Sequence, residues 1–155
     1  MEARQFISDR YPNPWDFSNS DQNLISHDRQ NKIEFGELNE IAMGAPLGGK
    51  CFLVSSNNSR KLLSKWCGGP IIWETKSNKV ALPLWTSRLF RGTVQRIGIA
   101  DIETGNLTIY SRLFDVLDFR AFDGDKIYGY DSPIYKTKTL DLQISRMKIA
   151  SRVSF

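Results

Sequence analysis

The sequence predicts an all-β, antiparallel protein: an up-and-down meander that forms a curled sheet, a sandwich or a barrel, with at most one or two short helices. Three observations carry this reading. Four apolar stretches, each broken by a polar turn, follow one another across residues 50–131: KCFLVSSNNSRKLL, IIWETKSNKVALPLW, RIGIADIETGNLTIYSR and LDFRAFDGDKIYGYD. Within them apolar residues recur with the period of two that sends successive side chains to opposite faces. The interruptions are Gly, Asn, Asp and Ser, which tolerate the backbone angles of tight turns.

At 155 residues the chain suits one domain spanning 1–155, long enough to bury about two thirds of its unfolded surface. A hydrophobic content of 41% with 25% charged residues excludes the disordered and membrane-spanning classes. No stretch approaches the ~18 apolar residues that cross a bilayer, so no membrane partner is expected. The leading MEARQFISDRYPNPWD lacks a cationic start followed by an apolar core, and the expectation is a cytoplasmic protein that is not exported. Cys51 and Cys67 have apolar neighbours in Phe52 and Trp66 and read as buried thiols, with a single bridge between them as the alternative.

Taken in order, residues 1–31 read as an irregular arm. The run Tyr11-Pro12-Asn13-Pro14 keeps the backbone out of helix, because a residue before proline is pushed toward extended conformations. Phe6, Tyr11, Trp15 and Phe17 give the arm apolar area to lay on a sheet face or edge. A first strand starts near Ile33 and Phe35, Gly36 permits a bulge, and Leu38, Ile41 and Met43 continue the apolar series. The glycines of GAPLGG (residues 44–49) read as a flexible loop before a strand at 51–55. Residues 56–66 lean toward a short helical turn stopped by Gly68, Gly69 and Pro70, with a turn followed by a strand as the alternative. Val80, Leu82 and Leu84, then Ile97 and Ile99, then Leu107 and Ile109 are expected to build one continuous apolar surface. Pro83 cannot donate to a ladder, which points to an edge or a bulge. Glycines in the turns at 103–106 and 123–125 supply left-handed angles. Leu140, Leu142 and Ile144 form a further strand, and Met147, Ile149 and Val153 extend it or begin another.

The motifs that suggest chemistry do not hold together. Residues 44–51 match GxxxxGK[ST] except at Cys51, which lacks the hydroxyl that holds magnesium, and a strand follows where a phosphate loop needs a helix. His27, the one histidine, sits in the polar arm. The carboxylate pairs Asp101 with Glu103, Asp115 with Asp118, and Asp123 with Asp125 fall in turns and on exposed strand faces, where solubility explains them. No cofactor and no metal site are expected.

Two surfaces stand out. Asp118, Asp123, Asp125, Tyr128, Tyr130 and Asp131 cluster in one hairpin, and tyrosines beside fixed carboxylates suit a protein interface in which the acids steer a basic partner. Trp85, Arg88, Phe90, Arg91 and Arg96 combine guanidinium and aromatic faces that can track a nucleic-acid strand. The plainer readings are a solvated hairpin tip and a loop of solvated arginines. Net charge is +4, distributed as −2 over residues 1–31, +2 over 32–135 and +4 over 136–155, so the excess belongs mostly to the tail.

A β-rich chain of this size with a covering arm, polar and aromatic hairpin tips and no catalytic constellation resembles the immunity proteins of bacterial contact-dependent growth inhibition and related polymorphic toxin systems. The resemblance implies a heterodimer with a cognate toxin domain, often a nuclease, whose active cleft is occluded. Inhibitors of nucleases are commonly acidic and this chain is basic, so the toxin is expected to meet a local acidic patch or to be held away from its phosphate groove. A nucleic-acid-binding β-module and a small hydrolase are the alternatives.

Overall fold

The computed structural model describes residues 12–155. The expectations for Phe6, Tyr11 and the leading segment fall outside these residues. Among the described residues twelve strands form: β1 Asn31–Phe35, β2 Asn39–Glu40, β3 Leu47–Ser55, β4 Arg60–Cys67, β5 Ile72–Trp73, β6 Lys79–Arg88, β7 Gly92–Asp101, β8 Asn106–Tyr110, β9 Leu117–Asp123, β10 Lys126–Asp131, β11 Lys138–Gln143 and β12 Ile149–Ser154. Among the described residues helical structure is limited to three-residue 3-10 turns at Gln22–Leu24 and Ile144–Arg146. The protein is therefore an antiparallel β protein of two sheets, neither closed into a barrel.

The larger sheet runs β1-β3-β4-β6-β7-β8-β12, with β2 beside β3 and β5 beside β6. The smaller runs β11-β10-β9. All four predicted hairpins form, and Gly105 and Gly124 hold their turns at φ +71° and +62°.

Register explains how the layers stack. Val80 pairs with Ala100, Leu82 with Gly98 and Leu84 with Arg96, while Ala81 pairs with Ile99 and Pro83 with Ile97. Directly opposed residues share a face, so Val80, Leu82 and Leu84 lie on the opposite side of the sheet from Ile97 and Ile99. The single apolar surface expected from the sequence is in fact two. One side packs with Leu107, Cys51, Cys67, Ile33, Phe35, Leu53 and the arm's Phe17 and Leu24. The other packs with Tyr110, Phe114, Leu117, Phe119, Phe122, Ile127, Leu140 and Leu142, most of them from the small sheet. Strands β6 and β7 are buried on both faces.

The arm covers the first side. Phe17 packs 5.0 Å from Phe35, ring to ring. The Asn19 amide imitates a strand along β1, donating to the Phe35 carbonyl at 2.9 Å and accepting from the Phe35 N–H at 2.8 Å. Trp73 donates its indole N–H to the Leu24 carbonyl at 2.9 Å.

Four local expectations change for identifiable reasons. Residues 60–67 extend as β4 because Leu63 and Cys67 reach the arm-side core from a strand; the preceding turn is closed by Asn57, which accepts from the Ser59 N–H, and by Asn58 at φ +65°. Pro83 lies in an interior strand, tolerated because β4 pairs there only at Cys67 and β5 only at Ile72 and Trp73; its carbonyl accepts from Gly68 N–H at 2.7 Å across the gap. Gly48 and Gly49 belong to β3 rather than to a loop. A β-carbon at Gly48 would stand 3.0 Å from the Trp66 and Trp85 indoles, and one at Gly49 would press on the Glu37 carbonyl. After Gly36, Met43 does not continue the apolar series but stands fully exposed.

Candidate partner-binding surfaces

The hairpin β9–β10 was expected to gather six acidic and tyrosine residues into one patch. It separates them by depth. Strict alternation would put Phe119 and Phe122, three residues apart, on opposite faces; a bulge at Arg120, where the register shifts between Tyr128/Ala121 and Gly129/Phe119, turns both inward. Gly129 makes this possible, since a β-carbon there would run into the Asp118 carbonyl. The outward residues of β10 are then Tyr128 and Tyr130, 40% and 39% exposed. Around them on the same face lie Asp118 and Ala121 of β9 and Thr139 and Asp141 of β11.

The carboxylates have separate jobs. Asp131 is buried and its Oδ1 accepts from the N–H groups of Asp115 and Val116, both at 3.0 Å, which closes the approach to β9. Asp118 is buried, and burial raises its carboxyl above the ordinary range against the opposing pull of Arg120, bonded at 2.7 Å. Arg120 also sits 5.9 Å from the Tyr130 ring centroid. Asp123 accepts from the Thr75 hydroxyl at 2.8 Å. Asp125 accepts from the Ser145 hydroxyl and N–H, which hold its carboxyl below the usual value. Asp123 and Asp125 thus stand at the hairpin turn, at the opposite end of the strand pair from Asp131.

The basic and aromatic set is also divided. Trp85 is buried, donating to the Leu47 carbonyl at 3.1 Å and packing 6.1 Å from Trp66. Arg96 lies in the body of β7 opposite Leu84, on the arm side. Arg88, Phe90 and Arg91 remain together at the tip of the β6–β7 hairpin, Phe90 99% exposed and Arg91 paired with Asp115 at 3.4 Å.

Sequence reasoning missed the junction between the sheets. Gln95 is fully buried in β7, its backbone exchanges two 2.8 Å hydrogen bonds with Phe114, and its side-chain oxygen accepts from the Leu117 N–H. Glu74, 3% exposed, sits between the β5–β6 and β9–β10 turns. Its burial opposes ionisation, yet hydrogen bonds from the Ser77 hydroxyl at 2.6 Å, Gly124 N–H at 2.7 Å, Lys76 N–H and Thr75 hydroxyl hold the carboxyl down to about 2. A carboxylate this strongly held is a structural anion, and only its spacing after Trp73 in an ETKSN turn hinted at it.

The polar cleft between the sheets, about 350 Å³, is lined by Lys79, Asp101, Tyr110, Asp125 and Arg152 among others. Burial pushes the Tyr110 hydroxyl up, so it stays protonated, and Asp125 stays ionised on Ser145. Cys51 and Cys67 are both free and buried, and burial, with Cys51 beside it, pushes the Cys67 thiol up. Among the described residues no three of His, Cys, Asp and Glu are grouped to hold a metal ion, and no helix is long and apolar enough to cross a membrane. No family model, curated protein or solved structure matches the chain, so its surfaces alone carry the functional reading.

Proposed function

We propose that this protein is a non-catalytic binding module that engages another protein, in the manner of an immunity protein that covers a cognate toxin domain inside the cell. The observation that supports the reading is the outer face of the three-stranded sheet. Tyr128 and Tyr130 stand side by side on β10, rigidly placed by ladders on both sides, and the neighbouring charges are already paired as Asp118 with Arg120 and Lys126 with Asp141 at 3.0 Å. Tyrosine supplies contact area at small entropic cost, and ion pairs formed in advance leave no charge to be buried alone. The contact patch is therefore centred on Tyr128 and Tyr130; Asp123 and Asp125, which brace the turn, lie at its rim.

Co-purification with the product of the adjoining reading frame, the place an immunity protein's toxin is expected, tests this. A one-to-one complex should form, and the double change Tyr128→Ala and Tyr130→Ala should weaken it at least about tenfold, as central aromatic contacts do. Failure of the complex to form, or an unaltered affinity in the double variant, would remove the support.

A further inference from the structure

A second surface, at the far end of the molecule from the β9–β10 turn, has a different chemistry. The tip of the β6–β7 hairpin carries Leu89 and Phe90, 84% and 99% exposed, and the β10–β11 connection carries Ile134 and Tyr135, 74% and 71% exposed. The two loops hang from one residue. Asp115 pairs with Arg91 through Oδ1 and meets the Ser132 hydroxyl through Oδ2, both at 3.4 Å, and Ser132 N–H donates to the Val116 carbonyl at 2.9 Å. Both apolar pairs therefore project from the same end.

The backbone in these loops is unusual as well. Five described non-glycine residues have positive φ, and three of them are Phe90 at +66°, Ser132 at +56° and Lys136 at +51°. A bulky side chain in the left-handed region is strained, and here a phenylalanine is kept there while making almost no contact with its own fold. Packing does not require it.

Charge selects the occupant. Residues 87–92 and 132–138 contain Arg88, Arg91, Lys136 and Lys138 and no acidic residue; the Asp115 carboxylate between the loops is paired with Arg91, which leaves Arg88, Lys136 and Lys138 in excess, within a residue or three of the apolar pairs. Apart from the Tyr135 hydroxyl, the apex side chains offer no hydrogen-bonding group that a folded partner would read. A convex apolar apex with a cationic collar matches a bilayer surface, where apolar side chains enter the boundary of headgroups and acyl chains and cations meet the phosphates. We infer that Leu89, Phe90, Ile134 and Tyr135 form a peripheral docking tip for an anionic membrane surface. This departs from the sequence expectation of no membrane partner, which was drawn from the lack of a spanning segment; two loops of this length dip into one leaflet and span nothing. The inference is independent of the proposed protein partner, because it uses other residues.

Vesicle co-sedimentation of the full chain tests it. Binding to mixed phosphatidylcholine–phosphatidylglycerol vesicles is expected, with much weaker binding to pure phosphatidylcholine. The paired changes Leu89→Ser with Phe90→Ser, and Ile134→Ser with Tyr135→Ser, should each reduce partitioning about tenfold or more. All four side chains are exposed, so circular dichroism should show the parent fold in each variant. Absence of vesicle binding, or serine variants that bind as well as the parent, would overturn the inference. So would release from vesicles by a single-stranded oligothymidine that binds the parent and the serine variants alike, which would assign the end to nucleic acid.

Discussion

The two faces of the β6–β7 ribbon are buried by different means. On the arm side the cover comes from earlier in the chain and packs through apolar side chains: Phe17, Leu24, Ile33 and Phe35 close over Val80, Leu82 and Leu84, and the Asn19 amide and Trp73 indole tie the arm down by hydrogen bonds to backbone. On the other side the cover is a separate sheet formed later in the chain, and it is keyed in place by buried polar side chains, Gln95 to Leu117, Glu74 to Gly124 and Asp131 to Asp115. Apolar burial is non-directional and supplies most of the driving force, whereas a buried hydrogen bond adds little net energy but costs much when broken. The small sheet is thus held in one register by buried side-chain partners. That rigidity is what sets Tyr128 and Tyr130 as a fixed outer surface.

The comparison breaks if either layer unfolds by itself. Phe119→Ala, at a fully buried ring of the small sheet, should cost about 3 to 5 kcal/mol, and Leu82→Ala on the arm side about 2 to 5 kcal/mol. Denaturant unfolding followed by both far-ultraviolet dichroism and tryptophan emission should show one coincident transition in each variant. All four tryptophans lie outside the small sheet, so a dichroism loss that precedes the emission change would show the small sheet leaving first.

Acid sharpens the comparison, because the polar keys titrate and the apolar layer does not. Glu74 has its carboxyl lowered from 4.5 to about 2, so its contribution is complete above the unfolded value and is lost as the pH falls from about 4.5 toward 2. The shift corresponds to about 3 kcal/mol, and Glu74→Gln should flatten this part of the stability profile. Asp118 has the opposite sense. Burial raises its carboxyl, so its charged form costs stability above the folded value, and the cost is relieved as the pH falls through it. Loss of the Arg120 bond then offsets the removal of a buried charge, and Asp118→Asn should change stability at neutral pH by less than about 1 kcal/mol, read from denaturant midpoints.

The hairpins were legible because each is a local event: a turn residue able to take φ above zero between two alternating runs, as at Gly105 and Gly124. The candidate surface was legible only in its tyrosines. Nothing in the local pattern of LDFRAFD reveals the bulge at Arg120, nor that Asp118, an outward position by alternation, is buried beside Arg120. Gln95, on the face of Ile97 and Ile99, carries no local sign of its role, since its partner, Leu117, lies 22 positions away.

Alternation and turn chemistry, which act over a few residues, determined by themselves that this chain is antiparallel β and where most of its ribbons turn. Which face each ribbon buries was decided only by the assembled sheets. Every alternating strand has two candidate faces, and β6 and β7 hide both because an arm closes one side and a later sheet the other. The placement of Pro83 inside the sheet, of Gly48 beneath two indoles and of Glu74 between two turns depends on neighbours distant in sequence, whose approach is set by packing rather than by local preference.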